Sequence, residues 1–140
     1  MTGGDIAKAL AMGASGVQMG TRFVASEECD APLTFKQKYV DAGKEDLVLV
    51  KTTVGLHGRA INNNFAKLIS GTDKLKIAKC IDCLKNCSYR FCTMDSLLVS
   101  MNGDAENGLV FAGARVGEIH DILPVQKIID KLTFEYNQAI

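Results

Sequence analysis

The sequence has no net charge: 16 lysine and arginine residues are matched by 16 aspartate and glutamate residues over 140 positions. A neutral chain gives no electrostatic reason to take nucleic acid or an anionic membrane as its main partner. No apolar run reaches the roughly 18 residues that a membrane-spanning helix requires. Met1-Thr2-Gly3-Gly4-Asp5 lacks the basic and apolar regions of a secretory signal, so the expected location is cytoplasmic. Internal repeats and low-complexity tracts are absent as well. Strands are scarce, and that scarcity shapes the reading of everything else.

What is present reads as α/β. Thr2 caps a short helix that Gly13 can end, with Asp5 in its first turn and Ile6, Ala9 and Leu10 on one face. After the Ala14-Ser15 link, Gly16-Val17-Gln18-Met19 is expected to be a short buried strand, with Gln18 pointing opposite to Val17 and Met19. Helix, tight link and buried strand make two-thirds of a β-α-β unit. The strand that should precede Thr2 has no residues left for it, so the chain is expected to start inside a fold.

Beyond Phe23, an acidic turn leads through Pro32 into a helix from about Thr34 to Ala42, with Phe35 and Tyr39 on one face. Asp46 to Thr53 reads as a strand, and Gly55 to Ile61 as a loop with two glycines. Asn62-Asn63-Asn64 caps a helix ending near Gly71, and Lys74 to Leu84 predicts a second one with Leu75, Ile77, Ala78, Ile81 and Leu84 as its apolar stripe. Thr93 caps a helix to Met101, and Gly108 to Gly113 is a strand or an extended return. A helical turn within Gly117–Leu123 precedes a last helix from Pro124, with Val125, Ile128, Ile129 and Leu132 buried.

Three stretches can carry chemistry. A strand that ends in Gly20-Thr21-Arg22 brings backbone N–H groups, a hydroxyl and a guanidinium near one point, which suits a phosphate. The plain alternative is a glycine-ended strand followed by a chance Thr-Arg. Cys80, Cys83, Cys87 and Cys92 place four thiols within 13 residues, a spacing that can surround zinc or an iron–sulfur cluster if the segment folds back. Equally, positions 80, 83 and 87 lie at helical spacing and can simply extend the apolar stripe of the preceding helix. A disulfide framework is not expected of them in a reducing compartment. His57, flanked by two glycines, with Arg59 nearby, can form a substrate or cofactor loop or an ordinary surface turn. His120 reads as structural, and Lys74, Lys76, Lys79, Lys85 and Arg90 as a solvated basic face.

The block from Asp5 through Phe23 resembles the nitronate monooxygenase family, formerly 2-nitropropane dioxygenase, which includes the FMN-type enoyl-acyl-carrier-protein reductases. The likeness continues through Ala25–Cys29, Gly58–Asn63, Gly108–Gly113 and Ile119–Ile122. It implies an FMN-binding (β/α)8 barrel with a smaller inserted domain. Residues 1–23 are then the last barrel helix and strand, 24–105 a mostly helical insertion, and 106–140 the return to the barrel with the C-terminal helix. Gly20 and Thr21 would be phosphate ligands, with Gln18 and Met19 near the flavin.

The same resemblance implies that the second half of the phosphate site, a Gly-Gly-Ile, and the family's catalytic histidine lie outside this chain. Neither His57 nor His120 takes that role. The expected function is nitronate oxidation with O₂, or NAD(P)H-dependent reduction of an enoyl thioester. A cysteine-organised metal-binding or interaction module is the alternative from another class. The chain by itself is expected to be inactive, to bind FMN weakly, and to self-associate over apolar faces meant for missing strands.

Overall fold

The computed structural model describes residues 1–77 and 80–140. Thr2 opens the first helix, α1 (Gly3–Ala11). Its hydroxyl accepts the Asp5 N–H at 3.3 Å while the Asp5 carboxylate accepts the Thr2 N–H at 2.7 Å. This reciprocal cap satisfies donors that a helix start leaves bare. Gly13, at φ +97, ends the helix in a conformation that suits glycine. α1 lies against the C-terminal helix α6 (Val125–Ala139), and a Cβ at Gly3 would stand 2.2 Å from the Leu132 carbonyl oxygen.

Gly16–Met19 is where expectation and structure part. The segment forms no strand, and Val17 and Gln18 are exposed rather than buried. Residues 15–19 make no backbone hydrogen bond to any described residue. A strand exists only through its neighbours, and the described residues place none beside it.

The one sheet among the described residues is the antiparallel pair β1 (Leu47–Lys51) and β2 (His57–Ile61), in register from Leu47↔Ile61 to Lys51↔His57. The expected loop at Gly55–Ile61 is therefore mostly strand. Gly55, at φ +84, and Leu56 belong to the connection, where the Leu56 carbonyl accepts both the N–H and the hydroxyl of Thr52. Gly58 sits within the strand because a side chain there would strike Phe111: a Cβ at position 58 would lie 2.5 Å from the ring.

Phe111 belongs to the extended return, which runs beside β2. The Ile61 N–H donates to the Val110 carbonyl at 2.9 Å, and the Ala112 N–H to the Arg59 carbonyl at 3.0 Å. Alternate residues of these extended segments face two different cores, as a two-residue repeat requires. Ile61, Val110 and Ala112 join Ala25, Tyr39, Val116 and Ile119 on one side. Ala60 and Leu109 join Val50, Ile69 and Phe91 on the other.

Helix α2 is a short turn (Thr21–Val24), and α3 spans Leu33–Asp41 from Pro32. Phe35 and Tyr39 meet as expected, with ring centroids 5.4 Å apart, and the Tyr39 hydroxyl donates to the Phe111 carbonyl. Asn63 caps α4 (Asn64–Gly71) through its side-chain oxygen, which accepts the Ala66 N–H at 2.9 Å. Its amide nitrogen donates at 2.7 Å to the carbonyls of Ala105 and Gly108. Asn63 is 3% exposed, so these bonds stand in place of water.

The helix predicted over 74–84 does not form: residues 74–77 and 80–84 are irregular, while Ala78 of its stripe and Lys79 of the basic face lie outside the described residues. Arg90 gives the reason. Instead of joining a solvated basic face, its guanidinium donates to the carbonyls of Ile69, Thr72 and Asp73, covering the end of α4. The Leu75 N–H donates to the Arg90 carbonyl at 2.7 Å, which ties Leu75 to Arg90.

Helix α5 (Thr93–Met101) matches its expected span, but its cap is Cys92, whose sulfur accepts the Asp95 N–H. Thr93 instead shares a hydrogen bond with Thr53 at 2.8 Å. On α6, Ile128 and Leu132 are buried as expected, whereas Ile129 is exposed. Among the described residues no helix is long and apolar enough to cross a membrane.

Substitutions at Asn63 test its part in the core. Asn63→Ala removes a helix cap and leaves two buried carbonyls without donors, which should cost about 3 kcal/mol. Asn63→Asp keeps the cap acceptor, loses both amide donors, and should still be clearly destabilised in urea unfolding. Equal stability of Asn63→Ala and the unsubstituted chain would refute the assignment.

Candidate functional site

The Gly20-Thr21-Arg22 stretch turns into α2 at Gly20, whose backbone is already right-handed helical. The Gly20 carbonyl accepts the N–H groups of Phe23 and Val24. The N–H groups of Thr21 and Arg22 therefore have no acceptor within the helix, and none among the other described residues. The Thr21 hydroxyl oxygen accepts the Gly113 N–H at 2.8 Å. Arg22 donates to the Ala25 carbonyl at 3.0 Å, to the Asp121 carbonyl at 3.1 Å and to the Asp121 carboxylate at 2.6 Å.

That last arrangement corrects the expected phosphate loop in one respect. The guanidinium is not held in reserve for a ligand; it ties the turn to the segment ahead of α6. The backbone and hydroxyl groups remain as the donors on offer.

All four residues expected at a cofactor, Gln18, Met19, Gly20 and Thr21, line one cavity of about 360 Å³. Thr2, Gly113, Arg115, Glu118, His120 and Lys131 line it too. A Cβ built on Gly20 would meet nothing within 4 Å, so the space beside its backbone is open. Among the described residues Lys131 and His120 take part in no ion pair, while Arg22 and Arg115 are both engaged. His120, read from sequence as structural, is exposed at the cavity rather than packed in the core.

The wall near α1 is a network of charges. Arg115 binds Asp5 at 2.6 Å and Glu118 at 2.5 Å, and the N-terminal ammonium binds Glu118 at 2.5 Å. The Arg115 hydrogen bond, with backbone help from Thr2, holds the Asp5 carboxyl well below the usual carboxylate range. The N-terminal ammonium and then Arg115 lower Glu118 as well. Asp5 and Glu118 together push the Arg115 guanidinium upward. The sequence signals Asp5 as a capping residue, and nothing in it announces this second duty.

The cysteines behave differently from the metal-binding expectation. Cys80, Cys83, Cys87 and Cys92 line a second cavity of about 310 Å³, together with Phe91 and Phe111. Yet among the described residues no group of three or more His, Cys, Asp or Glu side chains is placed to hold a metal ion. Cys80 and Cys83 are exposed, and the sulfurs of Cys87 and Cys92 accept the N–H groups of Tyr89 and Asp95. Without the predicted helix the thiols share neither a helix face nor a common ligand point, so zinc and iron–sulfur binding find no support. His57 and Arg59 are exposed on β2 and line neither cavity.

Comparison with known proteins bears on the first cavity. The family model described as nitronate monooxygenase matches residues 1–135. A probable nitronate monooxygenase of Staphylococcus aureus is 33% identical over 70 residues, 50% of this chain and 20% of that protein. A hydroxy-methyl-oxo-octahydroindene-carboxyl-CoA dehydrogenase of Rhodococcus jostii is 31% identical over 74 residues, 53% of this chain and 21% of that protein. Among solved structures, FabK from Thermotoga maritima superposes with a TM-score of 0.79 at 32% identity, covering 98% of this chain and 42% of FabK. The matched region thus spans about a fifth of the curated relatives.

The charge network makes a prediction about acid. Asp5 and Glu118 titrate lower in the folded chain than in the unfolded one. Their stabilising contribution is present above the ordinary carboxylate range and is lost as the pH falls below about 4, where the unfolded chain takes up protons first. The thermal midpoint should fall less steeply with acid in Asp5→Asn/Glu118→Gln than in the unsubstituted chain. Identical slopes would show that other carboxylates carry the acid sensitivity.

Proposed function

The chain belongs to the nitronate monooxygenase family, and from that premise we propose that it forms the phosphate-holding part of an FMN-dependent oxidoreductase. One observation carries the reading. The Thr21 and Arg22 N–H groups and the Thr21 hydroxyl proton lie where Gly20 and Thr21 line a cavity, and no described residue accepts from them. Donors of this kind, with open space beside a glycine, fit a phosphate monoester.

In this reading Gly20 lets a phosphoryl oxygen approach the backbone, and Thr21 adds a side-chain donor. Lys131 supplies a nearby cationic group, with the His120 imidazole on the same wall. Gln18 and Met19, on the same wall, lie beside the rest of the cofactor. When bound, the flavin supplies the electron-transfer chemistry, while this chain's residues bind and orient it.

The proposal extends to the whole enzyme. Residues 1–23 belong to the last helix and strand of a (β/α)8 barrel, 24–105 to an inserted small domain and 106–140 to the return. Gly16–Met19 is mostly exposed and makes no backbone hydrogen bond to any described residue, which supports its taking a place in a sheet completed by polypeptide outside these 140 residues. No residue of this chain is proposed as the catalytic base. A cytoplasmic location is part of the same reading.

The proposed substrate is an alkyl nitronate, oxidised with O₂. A second reading, reduction of an enoyl thioester with NAD(P)H, draws support from the name of the R. jostii relative, which identifies a CoA ester as its substrate. Nitronate-dependent oxygen uptake and NAD(P)H-dependent reduction of an enoyl-CoA separate the two in the complete enzyme. The 140-residue chain alone should catalyse neither.

Fluorescence titration with FMN and with riboflavin, which lacks the phosphate, tests the site itself. FMN should bind more tightly than riboflavin, and Gly20→Asp should reduce FMN affinity about tenfold or more through like-charge repulsion and lost space. Riboflavin affinity should hardly change. Equal binding of the two flavins by the unsubstituted chain would defeat the phosphate reading.

A further inference from the structure

A threonine hydroxyl at an anion site can either accept or donate toward its surroundings, and only donation helps a phosphate. At Thr21 the choice is made by a residue 92 positions away, Gly113, whose N–H donates to the Thr21 oxygen at 2.8 Å. That bond occupies a lone pair and leaves the hydroxyl proton, which finds no acceptor among the described residues. The branched Thr21 side chain has few rotamers, so fixing its oxygen also narrows the directions open to its proton.

Gly113 is itself held from both sides. Ahead of it, the Ala112 N–H donates to the Arg59 carbonyl of β2; behind it, its own carbonyl accepts the Val116 N–H at 3.2 Å. The two segments that meet here are joined a second time by Arg22 and Asp121. A Cβ at position 113 would lie 2.9 Å from the Thr21 oxygen, closer than real contacts allow, so the Thr21 hydroxyl or the backbone at Gly113 would have to shift. Such a contact would push the hydroxyl away from the amide that orients it.

We propose that Gly113 is a positioning residue for the cofactor site, its amide fixing Thr21 as a hydrogen-bond donor to the phosphoryl group of FMN. This inference rests on the flavin reading above and adds to it a residue that acts through Thr21 rather than on the ligand. An oriented donor has less freedom to lose on binding than a freely rotating one. Gly113 should therefore govern the preference for FMN over riboflavin more than affinity for the flavin ring.

Backbone NMR titrations with FMN and riboflavin read this directly and tolerate weak binding. In the unsubstituted chain FMN should shift the amide resonances of Gly20, Thr21 and Gly113, and riboflavin should leave them in place. Gly113→Ala and Thr21→Val should each weaken FMN about tenfold without altering riboflavin, while Thr21→Ser, which keeps the hydroxyl, should stay closer to the unsubstituted chain. A folded Gly113→Ala that keeps the full FMN preference overturns the inference and leaves the flavin reading standing.

If Gly113→Ala does not fold, hydrogen exchange decides. Thr21→Val must speed exchange of the Gly113 amide, and FMN must slow it in the unsubstituted chain; failure of either overturns the inference. If FMN and riboflavin act alike on the unsubstituted chain, the phosphate reading falls and this inference with it. Fast Gly113 exchange alongside a clear FMN preference would remove the inference only.

Discussion

The side-chain amide of Asn63 is the constraint from which the rest of the arrangement follows. It closes the start of α4 with one bond and grips the carbonyls of Ala105 and Gly108 with two. Each bond compensates a polar group that burial would otherwise leave unpaired. Together they fix where the chain comes back after α5, and in what register. The backbone ladder of Ile61 to Val110 and Ala112 to Arg59 then continues from that anchored point.

A return segment held in register does two things. Its alternating side chains divide the apolar interior, Leu109 going to one core and Val110 and Ala112 to the other. At its end it delivers the Gly113 amide to Thr21. The candidate site is thus a meeting of four stretches: the start of the chain at Met1 and Thr2, residues 18–22, 113–121 and the inner side of α6. Arg22 adds the cross-tie to Asp121 that a ligand-binding guanidinium would not have provided. The donors that remain uncommitted are the backbone N–H groups of Thr21 and Arg22 and the Thr21 hydroxyl. That division between fastening and offering is what gives the cavity its chemical character.

Much of the local structure was legible. Thr2 and Asp5 announce a capping box, Asn63 a cap, and Pro124 a helix start, because each acts on backbone groups within a few residues. The resemblance also picked out Gln18, Met19, Gly20 and Thr21, and the structure brings all four to one cavity. What was not legible depended on distant partners. Gly16–Met19 has the composition of a buried strand but no ladder among the described residues. The stripe over 74–84 has helical spacing, yet its described residues are irregular, Arg90 covers the end of α4 instead, and the four cysteines lose their shared face. Gly58 looks like loop glycine until Phe111 is seen to occupy the space its side chain would need.

By itself the sequence determined the starts of α1, α4 and α6 and the family to which the chain belongs, since caps and a long specific block are read in chain order. Only the tertiary structure decided which donors are spent and which are free. Arg22 and Arg115 look like available cations in the sequence, but folding pairs them with Asp121 and Asp5. Thr21 looks like one hydroxyl among many until Gly113 claims its oxygen. The physical reason is that a hydrogen bond or ion pair counts two partners. When those partners stand about a hundred residues apart, only the fold determines that they meet.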